Sequence, residues 1–220
     1  MKYSINDFEE FKKERFVNYI AQDETLYDLC RKYPDHSSMN AINAKLCIIG
    51  RSYATGIERA ITNKKKTQSG SLGVLAKKLH NNKKTVNRIV ASLPNEKEPL
   101  GIKSIRSILV AHNRFLDIVT EVTRSNYTPR SFVSKYLHFH CPSVPIYDSV
   151  VVKEINNHVR WNDALTKNIT KHKNADDEYY WYVVRFWKLY KEVSEKYSDA
   201  TVKDVDRLLL QLAYERKVAK

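Results

Sequence analysis

The sequence has few of the residues that interrupt helices or crosslink a chain. Its 220 residues include 5 glycines, 6 prolines and 3 cysteines. Cys30, Cys47 and Cys141 are odd in number and far apart, which argues against a disulfide framework. Three thiols are also too few for the four ligands of an iron–sulfur cluster. This cysteine usage is typical of proteins that stay in a reducing compartment.

Long apolar runs are also missing. No stretch of the sequence approaches the roughly 20 consecutive apolar residues that a membrane span requires. The charged segment at the N-terminus contains no apolar region of the kind found in signal peptides. We therefore expect a cytoplasmic protein without a membrane partner.

Positive charge is abundant and unevenly distributed. The chain has 38 lysines and arginines against 25 acidic residues, a net charge of +13. Nine of the positive residues lie between Arg59 and Asn95, a stretch with no aspartate or glutamate. A solvated surface is the simpler interpretation, but such surfaces usually mix both signs. The run favours contact with the phosphates of a nucleic acid, through residues that include Lys64, Lys65, Lys66, Lys77 and Lys84.

Apolar residues recur at helical spacing over most of the chain, which predicts an all-α protein. Ser4 with Asp7, and Thr201 with Asp204, have the spacing of capping boxes at helix starts. Asn81-Asn82 is a possible break, and Val150–Val152 is β-branched enough to leave a strand open there. The predicted helices span 4–20, 23–32, 39–62, 71–93, 101–124, 130–140, 148–159, 176–196 and 202–217.

Two clusters are candidates for chemistry but have structural alternatives. His138 and His140 flank Phe139 and precede Cys141, yet residues two apart point about 200° away from each other on a helix. Local packing is favoured over a metal site, and no metal is expected. The aromatic run 179–190 has the spacing of a helix face, so a core role is favoured over a base-stacking platform.

Asp148 follows a proline-containing turn and opens a predicted helix. A carboxylate in this position is stabilised by the helix dipole and by free backbone amides. From the residues alone, an ordinary N-cap is the favoured interpretation.

Two stretches, however, resemble the helix-hairpin-helix DNA glycosylase superfamily. Pro129–Ser149 is similar to the helix, proline-containing loop and catalytic aspartate of that family, and Ala44–Thr55 is similar to its early apolar helix and polar turn. The resemblance implies a two-lobed helical bundle with the target base in the cleft. The chain would then be a single catalytic unit, with a middle lobe at about 39–147 and a second lobe formed by 1–38 and 148–220.

The resemblance also implies residue roles. Asp148 would be the catalytic residue, and Tyr53, Ser52 and Arg51 would line the base pocket or probe the base stack. The lysine of bifunctional members is replaced by Arg130, so no lyase activity is expected. Lys135 lies about 140° around the helix from Arg130 and is expected to face elsewhere. Arg130 and Lys135 are accordingly predicted to contact the DNA backbone.

The sequence leaves three hypotheses for the function. The first is a monofunctional DNA glycosylase, expected to be a monomer without a cofactor, that acts on double-stranded DNA. By analogy alone, its substrate would be a hypermodified base of phage DNA and its role antiviral defence.

 The second is a non-catalytic, basic helical protein that binds nucleic acid without releasing a base. The third is a nuclease or toxin that uses His138, His140 and Cys141 with a metal ion.

Overall fold

The computed structural model describes residues 20–61, 70–95, 100–161, 169, 171 and 175–218. These residues form ten α-helices and no strand, apart from an isolated antiparallel bridge between Ile61 and Thr123. The all-α prediction is confirmed for this part of the chain. The helices are α1 (Ile20–Lys32), α2 (Met39–Cys47), α3 (Ile57–Ala60), α4 (Gly70–Asn81), α5 (Lys83–Ala91), α6 (Ile102–Thr120), α7 (Arg130–His140), α8 (Ser149–His158), α9 (Asp177–Lys196) and α10 (Val202–Val218).

Most helix boundaries agree with the sequence pattern. The break at Asn81-Asn82 is confirmed, because Asn82 is a turn residue between α4 and α5. The stretch Val150–Val152 is helical, within α8. The Thr201 hydroxyl accepts a hydrogen bond from the Asp204 backbone amide at 3.1 Å, and Asp204 accepts one from the Thr201 amide at 3.0 Å, which confirms that capping box. The helix predicted before residue 20 and the lysine-rich loop at 62–69 lie outside the described residues.

The predicted continuous helix over 39–62 is wrong. After α2 the chain forms a π-helical turn, Ile48–Ser52, and then leaves the helix before α3 begins. Ala54 (φ 49°) and Gly56 (φ 71°) both have left-handed backbone conformations, which end a right-handed helix. The interruption brings residues 52–54 to the surface of a cavity described below.

Helix α7 lies at the centre of the molecule, where α1, α6 and the π-helical turn pack against it. All eight residues from Phe132 to Phe139 are buried. The polar side chain of His138 has hydrogen-bond partners inside the protein. Its Nδ1 lies 2.7 Å from the Val144 carbonyl oxygen, and its Nε2 lies 2.5 Å from the Tyr27 hydroxyl. Since both ring nitrogens of His138 are occupied, this residue contributes to the packing of the helix.

The aromatic run of α9 belongs to the core, as predicted. Tyr179, Tyr180, Tyr182 and Phe186 are all buried, whereas Trp181 is 38% exposed. Apolar side chains from α1 to α10 form one continuous cluster in the described residues. None of the described helices combines the length and apolar character that crossing a membrane requires.

Candidate active site

A cavity of about 410 Å³ lies where α10 faces α1, the end of the π-helical turn, α7 and the start of α8. Its size is within the range of about 300–1,000 Å³ that is typical of ligand pockets. One face of α10 forms a wall of the cavity, with residues spaced three and four apart as helix geometry requires. The wall consists of Lys203, Asp206, Arg207, Leu210, Ala213, Tyr214 and Lys217, and the other lining residues are Asp23, Ser52, Tyr53, Ala54, Lys135, Ile146, Asp148 and Val150.

The loop between α7 and α8 is held by side chains from two buried helices. The Ser134 hydroxyl accepts a hydrogen bond from the Tyr147 amide at 2.9 Å. From α9, the Tyr179 hydroxyl donates to the Pro145 carbonyl at 2.9 Å and the Tyr182 hydroxyl donates to the Ile146 carbonyl at 2.6 Å. Because these anchors are buried, the loop presents the next residue, Asp148, in a fixed position.

The two carboxylate oxygens of Asp148 have different partners. Oδ1 accepts a hydrogen bond from the Val150 amide at 2.9 Å, which confirms Asp148 as the N-cap of α8. Oδ2 lies 3.2 Å from Lys135 Nζ, and the side chain remains 29% exposed at the cavity. One oxygen therefore fixes the helix start while the other pairs with Lys135 beside the cavity.

Lys135 lines the same cavity as Asp148, so the expectation that Lys135 faces elsewhere than the site is wrong. Its Nζ also donates to the Ser131 hydroxyl at 3.1 Å and to the Tyr53 carbonyl at 3.3 Å, and its side chain is only 7% exposed. The physical reason is the central position of α7, in which every face of the helix meets protein. The burial of Lys135 also does not favour the predicted contact with the DNA backbone.

Arg130 and Arg51 have partners outside the cavity wall. Arg130 Nε lies 2.7 Å from Asp176 Oδ1, and its Nη1 lies 3.0 Å from Glu178 Oε2. Arg51 makes a two-pronged pair with Glu58, with both nitrogen–oxygen distances at 3.0 Å. Of the three residues predicted at the base pocket, Ser52 and Tyr53 line the cavity and Arg51 does not.

Tyr53 is tied to a charge cluster that joins α1 to α10. Its hydroxyl donates to Asp23 Oδ1 at 2.5 Å, while Arg207 Nη2 lies 2.8 Å from Asp23 Oδ2. Burial acts to raise the pKa of Asp23, but Lys203, the Tyr53 hydroxyl and Arg207 outweigh it and the pKa is lowered. Asp23 is therefore held as a carboxylate whose main role is to position Tyr53 and α10.

Asp206 is a site residue that the sequence analysis did not identify. It lines the cavity although it is only 2% exposed, and Lys203 Nζ lies 3.5 Å from its Oδ2. Burial raises the pKa of this carboxyl, and Lys203 and Lys135 offset only part of the rise. The signal in the sequence is its place on the apolar stripe of α10, beside Val202, Val205 and Leu209, where a surface acid is not expected.

The lysines predicted to contact the DNA backbone lie partly within and partly outside the described residues. Lys77 on α4 and Lys84 on α5 are exposed, as a phosphate contact requires. Lys64, Lys65 and Lys66 lie outside the described residues. DNA contact by each of these lysines stays a prediction.

His140, one of the candidate metal ligands for which the sequence favours local packing, lies 3.3 Å through Nε2 from Lys45 Nζ. Within the residues that the structure describes, no group of three histidine, cysteine, aspartate or glutamate side chains is placed to hold a metal ion. Comparison of the chain with protein-family models, with curated proteins and with solved structures gives no match.

Proposed function

We propose that the chain is a DNA glycosylase, which takes a modified base out of the duplex into the cavity and hydrolyses its N-glycosidic bond. The observation that carries the proposal is the position of Asp148, a carboxylate fixed by a rigid loop on the wall of a cavity of about 410 Å³. The two-lobed architecture of the helix-hairpin-helix glycosylases is part of the same proposal, because the sequence resemblance centres on this loop.

The chemistry follows from the charge that develops on the sugar. Breaking the bond between C1′ and the base gives an oxocarbenium-like transition state. The Asp148 carboxylate stabilises that positive charge and orients the water that attacks C1′. Base flipping places the target in the cavity, where Tyr53 and Ser52 are available to contact it.

The net charge of +13 supports double-stranded DNA as the partner, since the positive residues exceed what solubility requires. The proposed hydrolysis uses water and needs no cofactor. All three cysteines remain thiols, in keeping with a cytoplasmic protein. We extend the proposal to antiviral defence, with a hypermodified phage base as the substrate.

Lys135 favours a second candidate, a glycosylase that also cleaves the strand. Its nitrogen lies 3.2 Å from Asp148 Oδ2, on the cavity wall. As a free amine it would attack C1′, displace the base and form a Schiff base that breaks the 3′ phosphate bond by elimination. Against this, Nζ faces three acceptors, which is the full complement of an ammonium group with three donor hydrogens.

Single-turnover release of a base tests the proposal. The probes are duplexes that carry uracil, hypoxanthine, N7-methylguanine, 8-oxoguanine or 5-hydroxymethylcytosine, and hot alkali reveals abasic sites. We expect wild type to release at least one base and Asp148→Asn to release none at a comparable rate.

Salt-dependent binding with no release from any duplex would support the non-catalytic binding protein instead. Loss of activity with a chelator would favour the metal-dependent nuclease. Restriction of phage with modified DNA, but not of the same phage with ordinary DNA, tests the role in defence.

A further inference from the structure

Asp206 is a buried carboxyl group in the cavity with one oxygen unsatisfied. Its Oδ2 has Lys203 Nζ at 3.5 Å, but its Oδ1 is inaccessible to solvent and has no hydrogen-bond partner among the described residues. Buried polar atoms nearly always have a partner, and an unpaired one calls for an explanation such as a catalytic role. Asp206 lines the cavity, so a group bound there is a candidate for the missing partner.

Comparison with Asp23 shows that burial alone does not leave a carboxyl oxygen of this cavity without a hydrogen-bond partner. Both carboxyl groups line the cavity, both are 2% exposed, and both lie within 3.6 Å of Lys203 Nζ. Asp23 has the Tyr53 hydroxyl and Arg207 as additional donors, whereas Asp206 has neither. The same cavity therefore contains a carboxylate with all its partners and a carboxyl group with one missing.

The charged groups around Asp206 come from several elements. Lys203 on α10 and Lys135 on α7 favour its ionised form, whereas Asp148 at the start of α8 opposes it. Asp23 on α1 shares Lys203 with it, and Tyr182 on α9 lies within electrostatic range. Burial is the largest influence and raises the pKa of Asp206, so its neutral form persists to higher pH than that of an exposed aspartate.

We infer that Asp206 is a second catalytic residue, the acid that contacts the extruded base and protonates it as the glycosidic bond breaks. This inference rests on the proposed glycosylase function. It divides the chemistry between two carboxyl groups in different environments, with Asp148 acting on the sugar and Asp206 acting on the base.

The proposed step is balanced. The C1′–N bond breaks with its electron pair going to the base, and the Asp206 proton moves to a ring nitrogen or carbonyl oxygen of that base. Asp206 becomes a carboxylate beside the Lys203 ammonium group. Water adds to C1′, and the proton that it loses passes through Asp148 and solvent back to Asp206. The products are an abasic sugar and a neutral free base.

The step defines the substrate class. A base that is neutral in DNA is a poor leaving group, so protonation lowers its barrier. A base that already carries a positive charge, such as N7-methylguanine, gains little from an acid. The structure therefore assigns neutral modified bases, with an acceptor atom facing α10, as the substrates of this cavity.

The test uses Asp206→Asn, which keeps the size of the side chain but has no carboxyl proton. The probe is the duplex whose neutral base wild type releases fastest in the panel above, and N7-methylguanine is the cationic comparison. The control is Asp117→Asn, the same change in charge at an exposed residue of α6 that does not line the cavity. Melting temperature and duplex binding verify that each variant folds.

We expect Asp206→Asn to slow release of the neutral base by about 100-fold or more. Any release of N7-methylguanine should change by less than about threefold. The wild-type rate should fall as the pH rises through the pKa of Asp206, and Asp206→Asn should lack this fall. Rates for a neutral base within about threefold of wild type, with the same fall, would overturn the role of Asp206 but leave the glycosylase proposal standing. Release of cationic bases alone by wild type would also overturn the role of Asp206.

Two further readouts keep the inference testable if Asp206→Asn does not fold. In Lys203→Met, the loss of the ammonium group should move the fall in rate to higher pH, and an unmoved fall would contradict the inference. Infrared difference spectra of wild type across the pH range of that fall should show a protonated carboxyl band that disappears as the pH rises. No release of any base by wild type would overturn the glycosylase proposal itself, and this inference with it.

Discussion

Lys135 Nζ on α7 lies 3.2 Å from Asp148 Oδ2 at the start of α8, across a separation of 13 residues in sequence. With its other two acceptors, the Ser131 hydroxyl and the Tyr53 carbonyl, the nitrogen is satisfied as an ammonium group. The pair gives Asp148 a fixed countercharge and connects the two halves of the cavity wall. Because Lys135 is the amine that pairs with Asp148 Oδ2, trapping of a covalent complex with DNA is the experiment that separates hydrolysis from strand cleavage.

We predict that wild type forms no covalent complex with DNA when borohydride is present during the reaction. An ammonium group held by three acceptors is not a nucleophile, so the product should be an intact abasic strand until alkali is added. Lys135→Arg keeps the charge and should retain more activity than Lys135→Met. A trapped complex that Lys135→Met abolishes would make Lys135 the nucleophile and establish the lyase candidate.

Asp148→Asn is predicted to abolish base release while the protein still folds and binds DNA. Asparagine keeps the N-cap to the Val150 amide, but the hydrogen bond to the Lys135 ammonium group is weakened, at a cost of about 1–3 kcal/mol. The rate should fall by orders of magnitude because the charge that stabilises the oxocarbenium is gone.

Asp176→Asn is the matched control for that variant. Asp176 is also an N-cap paired with a basic residue, since it accepts from the Tyr179 amide at 2.8 Å and from Arg130 at 2.7 Å. It does not line the cavity. A similar loss of stability with base release retained would separate the chemistry from the capping, whereas equal loss of release in both variants would contradict the role of Asp148.

Tyr53→Ala is predicted to weaken base flipping, because an aromatic side chain can stack on a base with about 1–3 kcal/mol. Its hydroxyl bond to Asp23 and its ring contact with Phe139 mean that the truncation also costs stability. Tyr53→Phe separates the two effects, since it keeps the ring and removes only the hydrogen bond. A fluorescent base analogue measures flipping, and normal flipping in Tyr53→Ala would limit the residue to a structural role.

Replacing Lys64, Lys65 and Lys66 with alanine is predicted to reduce affinity for DNA without changing the chemistry. Removal of up to about three phosphate contacts should lower the slope of log affinity against log salt by about 2–3 units. The single-turnover rate at saturating protein should stay unchanged. A second variant combines Lys77→Ala with Lys84→Ala, at two exposed helix positions. Its salt slope tests whether these lysines also contact DNA phosphates. An unchanged slope in both variants would place the DNA-binding surface elsewhere.

Acid is predicted to destabilise the protein below about pH 6.5. Burial lowers the pKa of His36 to about 4 and of His112 and His138 to about 3, so these residues stay neutral in the folded state while the unfolded chain takes up protons. Each contributes a loss of up to about 1.4 kcal/mol per pH unit between these limits. Urea unfolding across pH 4–7 measures the slope. His36→Gln should make it shallower, and His80→Gln, at a partly exposed position, is the control.

The sequence predicted those elements whose ends are marked by local chemistry. The prolines around α7 and the capping residues Asp148, Asp176 and Thr201 determine where α7 to α10 begin, with little influence from distant residues. The helical periodicity did not reveal the interruption at residues 53–56, although the resemblance implied a polar turn within Ala44–Thr55. Its left-handed conformation at Ala54 is not one that an alanine favours by itself.

The site was only partly predictable for a related reason. Asp148 was found from its loop, but Lys135 was placed wrongly because angular spacing gives direction relative to the helix axis and not to the rest of the protein. Asp23 on α1 and Asp206 on α10 lie 183 residues apart in sequence and both pair with Lys203, which no local pattern reveals. Polar residues on apolar stripes are the signal that would have identified both.

The contribution of α10 to the cavity has a consequence for synthesis of the protein. Seven of the fifteen lining residues come from this helix, and they extend to Lys217. Domains generally fold as units during synthesis. Because α10 is the last of the described helices, the cavity wall cannot be completed until this helix has been synthesised and packs against Asp23.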